Sequence, residues 1–412
     1  MKTEACRVCG NRELLPLLDL GTQALTGVFP RTPATPVPEV PLELVMCSPS
    51  GCGLVQLLHT ADLAWMYHDG YGYRSGIRPF MVDHLAGKVR ALLRHVAPGP
   101  GDLVLDIGSN DGTLLRAYPE GPLLVGADPV GERFADGYPR GAELIPDFFT
   151  AEAFTARFGT RRAAAVTSIA MFYDLPDPMA FMRDVRDVLA PEGVWMLEQS
   201  YLPAALETTA YDVVCHEHLE YYTLRQIEWM AERAGLTVVE AELNPVYGGS
   251  LCAVLAHAGS AHRRDEAGLN RIRAAEAAMG LDTTAPYEAF AKRAAERRDQ
   301  LREFLDTSRR SGLLTLGYGA STKGNVILQY CGVDAGDLPC IGEVNPDKAG
   351  CRTPGTGIPI VTEQAAKDMR PDQLLVLPWI HRPGYLERER DYLRGGGRLV
   401  FPLPVMDVVG AP

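Results

Sequence analysis

The sequence predicts an α/β protein that combines a small N-terminal metal-binding unit with two series of alternating strands and helices. Three observations predict this organisation. Four cysteines lie in two pairs within the first 52 residues, and a strand, a glycine turn and a helix follow one another from Asp102. A second such series begins at Leu313. A chain of 412 residues has room for about three domains, and we expect them at residues 1–65, 66–260 and 261–412.

Charge and hydropathy disfavour two classes of partner. The chain carries 40 Lys and Arg against 52 Asp and Glu, and a net charge of −12 does not attract a phosphate backbone through the overall field. Apolar runs such as 313–316 and 374–380 are far shorter than the ~20 residues that span a bilayer. No apolar segment follows the N-terminal lysine. We therefore expect no nucleic-acid partner, no membrane partner and a cytoplasmic location.

The N-terminal cysteines have the spacing of a metal site. Cys6 and Cys9 form one pair, Cys47 and Cys52 form the other, and glycine stands beside each pair. Four thiolates are the usual ligands of structural zinc, and metal binding would supply the folding energy of a proline-rich segment with little core of its own. The odd total of nine cysteines argues against a disulfide framework. The alternative is that the four are ordinary buried cysteines.

The glycine turn after Asp102 predicts a nucleotide-like cofactor site. The first apolar run ends at Asp106, Gly108 follows, and a second run ends at Asp128, twenty residues after Gly108. A carboxylate at that interval can accept hydrogen bonds from both ribose hydroxyls. Asn110 replaces the second glycine of the dinucleotide pattern, which disfavours a pyrophosphate and suits S-adenosylmethionine, a cofactor without phosphate. A generic turn with no cofactor preference is the alternative.

The strands that follow complete the central unit. A third strand ends before Asp147 and Phe148, which we expect to face the adenine. After a helix at 224–234, two strands joined by "NPVYGG" are close enough in sequence to form an antiparallel pair. A parallel sheet that closes with such a pair is typical of class I methyltransferases. We therefore expect this Rossmann-like fold over about 80–258.

A histidine and glutamate cluster precedes the 224–234 helix. Thr223 and Gln226 predict a capping box, which leaves His216, Glu217 and His218 in a loop at the carboxyl edge of the sheet, where such folds bind ligands. A carboxylate beside an imidazole orients it and raises its basicity, which favours His218 as a general base with Glu217 as its partner. The alternatives are a metal site on both histidines and histidines packed for structure alone.

Tyrosines alternate with glycine ahead of the central sheet, at Tyr67, Tyr71 and Tyr73. A phenol that points toward a pocket can donate a hydrogen bond to a developing oxyanion. Tyrosines packed at a domain boundary would give the same pattern, so both interpretations stay open.

The C-terminal third begins with charged helices over 262–311 and continues with the second strand and helix series. Three glycines within 317–324 form a turn that can cradle phosphate, with Lys323 supplying charge and Asn325 a polar contact. One alternative is a nicotinamide site with Glu343 on the ribose. Another is a purely structural domain.

Together these segments resemble a known family. Paired cysteines before "CGLVQL", then "YGYRSG", "LDIGSNDGTLL", "HEHLEYY" and "GYGASTKGN", are similar to the S-adenosylmethionine-dependent sugar C-methyltransferases of antibiotic deoxysugar biosynthesis. The resemblance covers nearly the whole chain. It implies a zinc-binding domain, a class I methyltransferase domain and a C-terminal Rossmann-like domain that helps to hold a dTDP-sugar.

The site residues of the family map onto this sequence by their motifs. The histidine base corresponds to His218 and its glutamate to Glu217, while the catalytic tyrosine corresponds to Tyr71 or Tyr73. Some members carry a tyrosine at the position of Cys215 and a histidine near 172–174, where this chain has Phe-Tyr-Asp. The expected contacts with the substrate are Lys323, Asn325 and Tyr222.

The resemblance implies C-methylation of a dTDP-linked 4-keto-deoxyhexose at C-3, the carbon next to the ketone. A base removes the acidic proton, a donor stabilises the enolate oxygen, and the enolate carbon attacks the sulfonium methyl group. The competing hypotheses are an NAD(P)H-dependent ketoreductase, a bifunctional enzyme and a zinc-containing scaffold without activity. We expect a monomer or a small homo-oligomer.

Overall fold

The computed structural model describes residues 1–32, 35–62, 65 and 73–410, whose strands form three sheets of four, seven and six strands. One hydrophobic cluster joins the N-terminal sheet, the segment 202–221 and the C-terminal sheet. Two further clusters cover the two faces of the seven-stranded sheet. None of the described helices combines the length and apolar character needed to cross a bilayer.

The N-terminal unit is an antiparallel sheet that the sequence analysis did not predict. Three of its strands are consecutive in the chain: β1 (Leu14–Ala24), β2 (Glu39–Cys47) and β3 (Val55–Leu57). The fourth strand, β9 (Glu220–Tyr221), arrives from the middle of the chain and pairs with β3. The sheet has the order β1-β2-β3-β9, so a segment just after His218 completes the N-terminal unit.

The central unit is a seven-stranded sheet with helices on both faces. Its other elements, in chain order, are α1 (Pro79–Leu92), β4 (Leu103–Ile107), β5 (Leu123–Ala127), β6 (Glu143–Ile145), α2 (Ala151–Phe158), β7 (Ala163–Ile169), α3 (Pro178–Val188), β8 (Leu189–Ser200), α4 (Leu202–Glu207), α5 (Leu224–Ala234), β10 (Leu236–Asn244) and β11 (Ser250–His257). The strand order is β10-β11-β8-β7-β4-β5-β6, and β11 runs antiparallel to both of its neighbours. This arrangement confirms the predicted class I methyltransferase fold, including its closing antiparallel pair.

Helix α5 shows how local sequence sets an element. Thr223 and Gln226 form the predicted capping box at its start, and Gly235 ends it in the left-handed region at φ 78°. Glycine adopts that conformation without steric cost. The helix bounds therefore agree with the predicted 224–234.

The C-terminal unit is a second Rossmann-like sheet preceded by two long helices, as the sequence predicts. Its elements are α6 (Glu266–Ala278), α7 (Ala285–Arg310), β12 (Thr315–Tyr318), α8 (Thr322–Tyr330), β13 (Ile341–Glu343), β14 (Ile360–Thr362), α9 (Glu363–Asp368), β15 (Gln373–Val376), α10 (Arg382–Arg388), α11 (Arg390–Arg394), β16 (Arg398–Phe401) and β17 (Asp407–Val409). The strand order is β14-β13-β12-β15-β16-β17, parallel except for the β16–β17 pair.

Helix α8 binds the end of strand β1. The side-chain amide of Gln329 accepts from the N–H of Ala24 at 2.8 Å and donates to its carbonyl oxygen at 3.1 Å. One turn earlier, Asn325 Nδ2 donates to the carbonyl oxygen of Thr26 at 2.7 Å. These contacts hold the N-terminal segment against the start of α8, next to the loop that carries His218.

Candidate active site

The four N-terminal cysteines converge as predicted. Their Sγ atoms all lie within 4.8 Å of one another, and the pairs Cys6–Cys52 and Cys9–Cys47 are each 3.5 Å apart. A tetrahedral zinc ion with bonds of about 2.3 Å would place its sulfur ligands about 3.8 Å apart, so the donor set fits zinc. Four thiolates leave no coordination position for a substrate, which makes this metal structural.

The turn after β4 has a backbone conformation that lets a ligand come close to the main chain. Gly108 and Gly112 have φ values of 73° and 70°, and Asn110, a residue type that tolerates this region, has a φ of 49°. At the end of β4, Asp106 is 3% exposed and accepts a hydrogen bond from Thr167 at 2.6 Å. Burial raises the pKa of Asp106 to about 7, so a cationic ligand beside it would favour the ionised carboxylate.

Asp128 lies where the sequence predicted a ribose-binding carboxylate, at the end of β5. Its two oxygens accept the backbone N–H groups of Asn110 and Val130, each at 2.8 Å. Each oxygen keeps a second lone pair for a ligand hydroxyl. Asp147 and Phe148 follow β6 and are both exposed at the same edge of the sheet. The geometry therefore leaves these three side chains able to contact a cofactor.

The side chain of Asn110 makes two hydrogen bonds to the backbone that the sequence did not predict. Its Oδ1 accepts from the N–H of Ser75 at 3.0 Å, and its Nδ2 donates to the carbonyl oxygen of Tyr73 at 3.1 Å. Asn110 thus attaches the segment that enters α1 to the glycine loop. Side-chain contact between Asn110 and the cofactor stays a prediction.

His218 is held by the backbone. Its Nδ1–H donates to the carbonyl oxygen of Val213 at 3.1 Å, which leaves the lone pair on Nε2. The ring of Tyr173 packs on the imidazole with a centroid distance of 4.2 Å. Burial and the nearby charge of Lys323 lower the pKa of His218 to about 3. The imidazole is therefore neutral near pH 7 and has one nitrogen ready to accept a proton.

Within the described part of the chain, Glu217 makes no hydrogen bond to His218, contrary to the expected pairing. Its carboxylate accepts from Thr26 Oγ1 at 3.3 Å, and burial raises its pKa. A Cβ atom at Gly27 would clash with Glu217 Oε1, so a larger residue there would displace this carboxylate. Among the described residues, the carbonyl of Val213 rather than Glu217 orients the imidazole.

His216 is 1% exposed, and its Nε2–H donates to the carbonyl oxygen of Val40 in β2 at 3.0 Å. Across the described ranges, the four cysteines are the only group of three or more potential ligands arranged for a metal ion. The structure therefore supports packing rather than metal binding for His216.

A narrow cleft lies between the central and C-terminal units, next to the segment that precedes His218. Tyr201, Asp212, Tyr247, Lys323 and Trp379 contribute to its lining, together with Val213. Asp212 is 1% exposed and accepts from Trp379 Nε1 at 2.8 Å. Within the described part of the chain, the Lys323 ammonium makes no hydrogen bond or ion pair. The cleft therefore offers a cation from the C-terminal unit next to Val213, the residue whose carbonyl oxygen holds His218.

The remaining predicted site residues differ in their access to this cleft. Tyr73 is 39% exposed, and its hydroxyl lies 2.5 Å from that of Tyr247 in the cleft lining. Tyr67 and Tyr71 lie outside the described residues. Tyr222 and Asn325 are 0% and 1% exposed, enclosed by protein, so contact with a substrate stays a prediction for both.

Glu343 repeats in the C-terminal unit the geometry of Asp128. Its two oxygens accept the N–H groups of Ala320 at 2.6 Å and Asn345 at 2.8 Å. Lys348 donates to the carbonyl oxygen of Ala320 at 2.9 Å and lies 4.3 Å from the ring centroid of Phe29. The N-terminal segment thus packs at the edge where a dinucleotide ribose would lie.

Comparisons with known proteins agree with this architecture. Family models match residues 6–67 ("Putative zinc binding domain"), 81–241 ("Methyltransferase domain") and 245–404 ("C-methyltransferase C-terminal domain"). C-methyltransferase NovU of Streptomyces niveus is 30% identical over an alignment of 414 positions, which covers 99% of this chain and 97% of NovU.

Solved structures with partial similarity include two methyltransferases. The CcbJ methyltransferase of Streptomyces caelestis is 16% identical and covers 45% of this chain and 99% of its own, with a TM-score of 0.34. The O-methyltransferase NcsB1 from neocarzinostatin biosynthesis, solved with S-adenosylmethionine, is 21% identical and covers 43% and 55%, with a TM-score of 0.33. The near full-length similarity to NovU and the three domain matches give the identification: the chain belongs to the C-methyltransferase family and is an S-adenosylmethionine-dependent enzyme with a zinc-binding domain.

Proposed function

We propose that this enzyme methylates a dTDP-linked 4-keto-deoxyhexose at C-3, the carbon next to the ketone. The observation that carries the proposal is His218, whose Nε2 keeps its lone pair and whose Nδ1 partner, Val213, lines a cleft between the central and C-terminal units. The family resemblance supports a nucleotide-linked sugar as the substrate. We retain 1–65, 66–260 and 261–412 as the proposed domain boundaries.

The proposed reaction starts with proton transfer to His218. Nε2 removes the proton from the carbon next to the ketone, and the electron pair of the broken C–H bond moves to the ketone oxygen to form an enolate. S-adenosylmethionine, when bound, supplies the electrophilic methyl group that the enolate carbon attacks as the sulfur–carbon bond breaks. His218 then returns its proton to solvent. Negative charge that develops beside the imidazole raises its basicity during the first step.

Two groups are proposed to stabilise the substrate. Tyr73, joined to Tyr247 at 2.5 Å, lies at the edge of the cleft as a hydroxyl donor for the enolate oxygen. Lys323 is in the first turn of α8, where the helix dipole disfavours a cation and favours an anion. An anionic group of the substrate would offset the unfavourable interaction between the Lys323 ammonium and the helix dipole. We therefore assign Lys323 to substrate binding. Tyr71 remains the alternative to Tyr73.

Asp128 provides a test of the cofactor site. Replacing Asp128 by asparagine removes one acceptor from the pair that holds the N–H groups of Asn110 and Val130. Because hydrogen bonds to charged groups contribute about 1.5–3 kcal/mol, we expect S-adenosylmethionine to bind roughly 10–100-fold more weakly by calorimetry. Asp136→Asn, at an exposed position of the same unit, is the control. Equal affinity in the two variants would contradict the assignment.

The substrate is tested with candidate dTDP-4-keto-deoxyhexoses in the presence of S-adenosylmethionine. The expected result is the gain of one methyl group by mass, and deuterium at C-3 of the substrate should be lost before methylation. A dTDP-hexose that lacks the ketone has no acidified carbon and should stay unmodified. Oxidation of NADPH without methyl gain would instead identify a ketoreductase.

A further inference from the structure

The N-terminal unit contributes several of the contacts that hold the loop carrying His218. The imidazole of His216 donates to the carbonyl oxygen of Val40 at 3.0 Å. The N–H of Leu57 donates to the carbonyl oxygen of Leu219 at 2.9 Å, and β9 then continues as the fourth strand of the N-terminal sheet. A strand of two residues has no stability of its own. The position of this loop therefore depends on the strand that it pairs with.

That strand begins at the predicted metal site. Cys47 is the last residue of β2, and Cys52 stands just before β3. The N–H of Cys47 donates to the carbonyl oxygen of Leu54 at 2.8 Å, so the second cysteine pair closes the β2–β3 hairpin. From the other side, Gln226 Nε2 in α5 donates to the carbonyl oxygen of Cys52 at 3.2 Å. A metal that fixes this turn also fixes β3.

Arg7 connects the first cysteine pair to the same strands. It lies between Cys6 and Cys9, and its Nη1 donates to the carbonyl oxygen of Leu57 at 2.5 Å. Its Nε is 3.6 Å from Glu220 Oε1 in β9, two residues after His218. The side chains of Arg7 and Glu220 are 4% and 0% exposed. The planar guanidinium presents its donors in a rigid fork, so that one end reaches Leu57 and Thr60 while Nε lies at ion-pair distance from Glu220. A lysine ammonium is a compact point charge and cannot reproduce that fixed, spread-out geometry.

We propose that Arg7 is a positioning residue for catalysis: through β3 and Glu220 it couples the metal-bound turns to the loop that places His218. The N-terminal unit then has a role beyond its own folding, because the zinc site determines where the proposed base lies. This inference rests on the proposed function only for the role of His218 as the base. The coupling itself is a statement about the geometry of the loop.

The test is Arg7→Lys, which keeps the positive charge and removes the planar guanidinium group. We expect zinc content to stay at one ion per chain, affinity for S-adenosylmethionine to stay unchanged, and amide hydrogen exchange over 216–221 to rise at least tenfold. Amides of β4 should exchange as in the wild type. Exchange of the substrate proton next to the ketone should fall at least tenfold. Arg12→Lys is the matched control, since Arg12 lies in the same unit with its side chain 80% exposed, paired only with Glu4.

Two results would overturn the proposal: unchanged amide protection over 216–221 in Arg7→Lys, or an equal rise over β4, which would mean global destabilisation. If this variant does not fold, zinc is removed from the wild-type enzyme by a chelator and the same amides are followed. Protection that survives zinc removal would then refute the coupling. His218→Ala should keep the protection of 216–221, so failure of the base assignment and failure of the coupling give different results.

Discussion

Replacing His218 by alanine is expected to stop exchange of the substrate proton next to the ketone with solvent deuterium, while S-adenosylmethionine still binds. The Nε2 lone pair is the proton acceptor in the proposed mechanism, and a positioned general base contributes about 10²–10⁴-fold to such a step. Proton exchange is measured by NMR with the ketosugar in deuterium oxide, and cofactor binding by calorimetry. The glycine loop lies on other strands, so the cofactor site should be unaffected.

His262→Ala provides the control, because His262 is partly exposed and its one hydrogen bond within the described residues goes to the carbonyl oxygen of Glu192. Unchanged proton exchange in His218→Ala would remove this histidine as the base. The pH profile gives a second check. With a pKa lowered to about 3 by burial and Lys323, the imidazole is neutral above that value. The profile is measured with S-adenosylmethionine saturating, because the bound cation favours ionised Asp106, whose own pKa is about 7. Under that condition kcat/KM for the sugar should not fall through the range about pH 5–7, where an ordinary histidine gains its proton. A fall near pH 6.5 would contradict this environment for His218.

Replacing Cys6 by serine is expected to release zinc and unfold the N-terminal sheet. The four sulfurs form one closed donor set, and structural zinc supplies on the order of 10–16 kcal/mol of apparent binding free energy to small domains. Loss of one thiolate therefore removes much of the energy that holds the two turns together. Metal analysis should give one zinc per wild-type chain and less than one in the variant, and circular dichroism should report the loss of strand structure.

Cys340→Ser is the control, since Cys340 is buried in the C-terminal unit away from the cluster. It should keep its full zinc content. A Cys6→Ser variant that also retains full zinc would refute the four-cysteine assignment, whatever its activity.

Much of the fold was predictable because it depends on local or strongly periodic signals. The capping box at Thr223 and Gln226 fixed the start of α5. Short, mostly apolar runs such as β4 predicted a parallel sheet with both faces covered, and all five residues of β4 are buried in the structure. The spacing of the cysteines predicted the metal site, because knuckle turns are local structures. In contrast, the two-residue strand β9 has no periodicity that sequence could reveal.

The sequence predicted which residues lie at the candidate site, but it did not predict the contacts that hold them. The sequence located His218 in the correct loop, but it assigned Glu217 as the orienting partner, whereas the Val213 carbonyl has that role in the structure. Asn110 was predicted to suit a phosphate-free cofactor, which stays a prediction, and its side-chain bonds to the backbone of Tyr73 and Ser75 were not foreseen. A backbone carbonyl leaves no trace in the sequence, so neither contact could be predicted from residue types.

The sequence by itself determined the three-part α/β organisation, the metal ligands and the identity of the proposed base. These features follow from spacing, hydrophobic periodicity and the chemistry of individual side chains, which act over a few residues. Only the tertiary structure decided that β9 completes the N-terminal sheet, that Arg7 reaches Glu220, and that Lys323 shares a cleft with the His218 loop. Those contacts join residues that are far apart in the chain, and the packing of the three units alone brings them together.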